Sequence, residues 1–114
     1  MNIWFTKEKN VFVYNKDGYF FIGITKKLLK TLGTPISRNL PPVGEYFAKG
    51  EIFGSIESED KALELFMPIS ATIEALNQNF TPLTEYPWLI RVTANFFQED
   101  KIDLISYDNS MGDY

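Results

Sequence analysis

The chain contains no cysteine and no histidine. The first absence excludes disulfides and a thiol nucleophile, and it suits a reducing compartment. The second removes the usual near-neutral acid-base group, the histidine-based triads and nearly every zinc site. Covalent catalysis would have to rest on Ser, Thr, Lys or a carboxylate. No catalytic constellation of that kind stands out, so any redox or transfer chemistry is expected to use a borrowed group. Basic charge is also short: eleven Lys and Arg stand against fifteen Asp and Glu, a formal net charge of -4. A phosphate backbone would meet repulsion, which argues against nucleic acid as a partner. No run of about eighteen apolar residues occurs, so no membrane span is expected. The start, "MNIWFTKEKN", has neither the basic-then-apolar pattern of a secretory signal nor the Arg and Ser enrichment of an organelle presequence. A cytoplasmic protein is expected.

What is present is aromatic and apolar. Ten Phe, six Tyr and two Trp in 114 residues supply one core without a staple. The expected organisation is a single domain over residues 1–106 and a loose tail over 107–114.

The apolar pattern is mostly short and near-alternating, broken by Gly, Pro, Asn and Asp, which predicts strands. "VFVY" and "YFFIGI" flank "NKDG", a hairpin whose Asp17-Gly18 supplies positive φ. "KKLLKTLG" is the one good helix, with Thr25 as N-cap, Leu28, Leu29 and Leu32 on one face and Gly33 closing it. "TPISRNL" reads as a strand and "PVGEYFAKGE" as a loop turning at Gly44 and Gly50. "EIFGSIE" and "ALELFM" read as a hairpin with Ile52, Ile56, Leu63, Leu65 and Met67 on its core side. "ATIEAL" and "WLIRVTA" are further strands, and a short helix is expected after Asp100. Many short strands with one short helix predict an all-β sandwich or small barrel. By pattern alone an oligonucleotide-binding barrel is equally good; the charge argues against it.

The order of these pieces carries a resemblance. "FTKEKNVFVYNKDGYFFIGIT", a helix ending in "LG", then "LPPVGE", "KGEIFGSIES", "MPIS" and "WLIRV" follow the order and near-spacing found in the glycine cleavage system H protein family. The resemblance implies a lipoyl-domain-like β-sandwich, also called a barrel-sandwich hybrid, with the helix covering one end. It implies a carrier rather than an enzyme in glycine catabolism and one-carbon metabolism. In that role lipoate is linked to a lysine at a hairpin tip and shuttles an aminomethyl group. The implied partners are glycine decarboxylase, aminomethyltransferase, dihydrolipoyl dehydrogenase and lipoate ligase.

The acceptor implied by the family lies ten residues after Gly50 and eight before Pro68, and both counts land on Asp60. Lys61 is the candidate lipoyl acceptor on the hairpin tip formed by Glu57, Ser58, Glu59 and Asp60, displaced by one residue. A turn on Glu59-Asp60 pairs Ile56 with Leu63, while a turn on Asp60-Lys61 pairs Ile56 with Leu65; the apolar pattern permits either. The alternative function is an H-like paralogue that has lost lipoylation and acts as a binding or regulatory module. Glu57, Glu59, Asp60 and Glu64 lack calcium-loop spacing, so no metal site is expected. Further departures are Lys9-Asn10-Val11 where the family has His-Glu-Trp, Ala71 where it has Gly, and a loop about nine residues shorter before Trp88.

Overall fold

The computed structural model describes residues 2–81 and 84–106. The expected tail over 107–114 lies outside the described residues. Ten strands and a few short helical turns follow one another: β1 (Asn2–Phe5), β2 (Val11–Lys16), β3 (Tyr19–Ile24), α1 (Lys26–Leu32), β4 (Ser37–Asn39), β5 (Tyr46–Phe47), β6 (Ile52–Glu57), β7 (Ala62–Phe66), β8 (Ala71–Leu76), β9 (Trp88–Thr93), α2 (Phe97–Asp100), a 3-10 turn (Lys101–Asp103) and β10 (Ile105–Ser106). The strands β1, β5 and β10 add to the elements read from sequence. Each is four residues or fewer, too short to show a period of two.

Two antiparallel sheets result. The wide one runs β10-β1-β2-β3-β9-β8-β5 and the narrow one β4-β6-β7. Between them lies the main core, in which Val11, Val13, Ile22, Ile24, Ile56, Leu65 and Ile90 are all buried. The period of two sends alternate residues of β2 to opposite faces. Val11 and Val13 enter this core, whereas Phe12 and Tyr14 join Ile3 and Phe5 in a second cluster with Phe21, Tyr86 and Trp88. All four residues of "VFVY" are therefore buried. The second cluster is aromatic, with Tyr14 stacked on Phe21 at 4.8 Å between centroids and Trp88 edge-on to Phe21 at 5.1 Å. Burial there raises the pKa of the Tyr14 hydroxyl.

The β2–β3 turn has the predicted geometry, with φ of 54° at Asp17 and 82° at Gly18. The Thr25 hydroxyl accepts from the Leu28 N–H at 3.1 Å and donates to the Lys9 carbonyl at 2.6 Å, capping α1 and fixing the β1–β2 loop against it. Leu28 and Leu32 bury one face of the helix, and Gly33 closes it at φ 90° by donating its N–H to the Leu29 carbonyl at 2.9 Å. One expectation is corrected. Ile52 is 46% exposed and Phe53 is buried in its place, because the β6–β7 register shifts between Ile52 and Gly54. A single irregularity of this kind turns the side chains beyond it to the other face. It also brings Gly54 against β4: a Cβ there would stand 2.4 Å from the Asn39 carbonyl oxygen.

Candidate functional site

The β6–β7 hairpin lies in the narrow sheet, with β6 central and β7 at its edge. Glu57 pairs with Ala62, Ile56 with Leu63, Ser55 with Glu64 and Gly54 with Leu65. Of the two registers open to the sequence, the chain adopts the one that closes on Glu59-Asp60. The Ser58 N–H donates to the Lys61 carbonyl at 2.8 Å. The Ser58 hydroxyl in turn accepts from the Lys61 N–H at 3.2 Å. Ser58 and Lys61 thus flank the turn, and Glu59 and Asp60 form its exposed apex.

Just below the turn the hairpin is anchored on its β4 side. The Ile36 N–H donates to the Glu57 carbonyl at 2.8 Å, and the Ser37 hydroxyl meets the Glu57 carboxylate at 3.4 Å. Ile56 and Leu65 sink into the core at 0% and 1% exposure, so the strands are fixed while the apex stands in solvent. Glu57, Glu59, Asp60 and Lys61 are all exposed, and Ser58 is half-buried.

Lys61 does not extend from the apex. Its Nζ donates to the Thr31 carbonyl at 2.9 Å, at the C-terminal end of α1. The opposite end of that helix holds the β1–β2 loop, where Lys27 Nζ donates to the Glu8 carbonyl at 2.5 Å and the Thr25 N–H to the Asn10 carbonyl at 3.0 Å. Seven helical residues separate the two by about 10 Å. The Lys9-Asn10-Val11 segment and the hairpin are therefore joined through one short helix. Thr31 was not singled out in the sequence, because its part is played by a backbone carbonyl that any residue would supply.

Among the described residues, no group of three or more acidic side chains gathers to hold a metal ion. No helix among them is long and apolar enough to cross a membrane.

A sandwich of this kind, with the β6–β7 hairpin in its narrow sheet, belongs to the lipoyl-domain-like fold class. A sequence profile of the glycine cleavage H-protein family matches residues 3–110, and the chain belongs to that family. It is 36% identical over 86 residues to the mitochondrial glycine cleavage system H protein of Saccharomyces cerevisiae, covering 75% of this chain and 49% of the yeast protein. Against the H protein of Rippkaea orientalis identity is 34% over 93 residues, covering 75% and 70% of the two chains. The crystal structure of a glycine cleavage system H protein from Mycobacterium marinum superimposes with a TM-score of 0.71 at 26% identity, covering 82% of this chain and 84% of that one. The chain thus spans about half the length of the yeast relative and most of the Rippkaea orientalis one.

The family's covalent lipoyl group needs an amine. Here the turn offers the Asp60 carboxylate at its second central position, and a carboxylate cannot form the lysine-type amide. The nearest amine, Lys61, follows the turn and is directed at α1. The apex does not fit the group.

Proposed function

We propose that this chain is an unarmed H-protein-type module: it engages enzymes of glycine-cleavage type through the H-protein scaffold, catalyses no reaction itself and regulates their traffic with a loaded H protein. The observation that carries this reading is the Ile56–Leu63 pairing, which sets Asp60 in the second central position of the turn. A protein that keeps the sandwich and loses the attachment chemistry retains shape recognition without group transfer. The test is competition. Adding this chain to glycine decarboxylase and an ordinary lipoylated H protein is expected to slow aminomethyl loading in a saturable way. Unchanged loading at a large excess of the chain would sink the proposal.

A second reading is favoured by the exposure of the Lys61 amine beside the tip. There the chain is a carrier with lipoate on Lys61, loaded by a lipoate ligase and served by glycine decarboxylase, aminomethyltransferase and dihydrolipoyl dehydrogenase. The dithiol would supply the redox and transfer chemistry that a chain without Cys or His cannot. Intact mass of the protein from a lipoate-replete host separates the readings, since a lipoyl increment mapped to Lys61 establishes the carrier.

A further inference from the structure

The contact between the hairpin and α1 has a role of its own. A helix leaves its last carbonyls without partners inside the helix. In α1 the Gly33 N–H returns to Leu29, and the Thr31 carbonyl receives the Lys61 ammonium instead. Lys61 is the sole cation between residues 52 and 66. A positive charge at this end of a helix complements the helix dipole. The backbone of Lys61 is held separately, through both of its hydrogen bonds with Ser58. Main chain and side chain are thus fixed together, one to the turn and the other to the helix. The apex is left to Glu59 and Asp60.

We infer that Lys61 is a positioning residue that clasps the hairpin to the C-terminal end of α1, and that the acceptor position of this hairpin is residue 60, filled by an aspartate. The first half stands on the contacts alone, and the second rests on the unarmed reading above. The clasp turns the amine toward the helix, and the turn offers a carboxylate in its place.

Two measurements on the full chain test this. In the first, the chain is incubated with a lipoate ligase active on ordinary H proteins, ATP and lipoate, and weighed intact. Wild type is expected to gain nothing, and D60K is expected to gain one lipoyl increment mapped to residue 60. The double variant D60K/K61M is expected to do the same. A lipoyl group on Lys61 of the wild type overturns the assignment, as does refusal of both D60K and D60K/K61M. In the second, amide exchange is followed at Leu32 and Gly33. K61M is expected to speed it about two- to fivefold, and K61R, which keeps the cation, to hold it near the wild-type rate. Exchange in K61M equal to that of the wild type overturns the clasp. Neither measurement involves glycine decarboxylase, so failure of the competition experiment sinks the proposed function and leaves these two results standing.

Discussion

The two long hairpins solve the same problem differently. β2–β3 closes on Asp17-Gly18, both in the left-handed region that the twist of paired strands favours, and its strands lie inside the seven-stranded sheet. β6–β7 closes on Glu59-Asp60 with no positive φ at either residue, and a serine hydroxyl supplies the second bond across the turn. The first turn is specified by backbone conformation, which only a few residues satisfy. The second is specified by its flanks, Ser58 and Lys61, which leaves its two apex residues open to change. A turn of that kind leaves residues 59 and 60 open to substitution at small cost to the fold.

The most damaging change expected lies below the variable turn. Leu65→Ala, at 1% exposure in β7, should cost about 2–5 kcal/mol in urea unfolding. A loss below about 1 kcal/mol would mean that the β6–β7 hairpin is not part of the core. The next contrast is direct. Gly18→Ala forces a Cβ onto a residue at φ 82° and should cost about 1–2 kcal/mol, whereas Asp60→Ala should stay within about 0.5 kcal/mol. Equal costs would erase the distinction between the turns. Smaller again is Ser58→Ala, which removes the hydroxyl bonded to the Lys61 N–H and should cost about 0.5–1 kcal/mol. Its counterpart Ser55→Ala, in the middle of β6, provides the control.

The smallest effect is at the foot of the hairpin, where Lys49 meets Asp103 at 2.6 Å. The hydrogen bond from Lys49, and then its charge, hold the Asp103 carboxyl below its usual range. A depressed folded-state pKa contributes stability above the unfolded-state value, and that contribution is lost as pH falls through the folded one. Both groups are open to solvent, so the contribution is slight and screened by salt. Asp103→Asn should therefore flatten the acid limb of a Tm-against-pH curve a little at low salt and leave it unchanged at high salt. A large change at neutral pH would contradict this.

Much of the fold was legible because its signals are local. Asp17-Gly18, the Thr25 cap and the Gly33 terminus each act within a few residues, and the structure realises all three. What sequence could not show was set by tertiary contact. The exposure of Ile52 follows from the irregularity beside Gly54, where β4 approaches closely, and no period within β6 announces it. The double-faced burial of "VFVY" needed the aromatic cover of Tyr86 and Trp88, which arrive from more than seventy residues away. At the site, the sequence narrowed the hairpin to two registers with equal hydrophobic patterns. The structure adopts one, and it adds a partner for Lys61 that sits thirty residues upstream.

The segment between β8 and β9 is pinned at both ends. Asn77 donates its N–H to the Leu89 carbonyl at 2.9 Å and its side-chain amide to the Trp88 carbonyl at 2.8 Å, and the Ile24 N–H reaches the Pro87 carbonyl. The Gly23 site below it has no room for even a methyl group, since a Cβ would stand 2.4 Å from that same Pro87 oxygen. Its two ends are thereby held by backbone and side-chain contacts at Asn77, Gly23 and Trp88, whatever the length of chain between them.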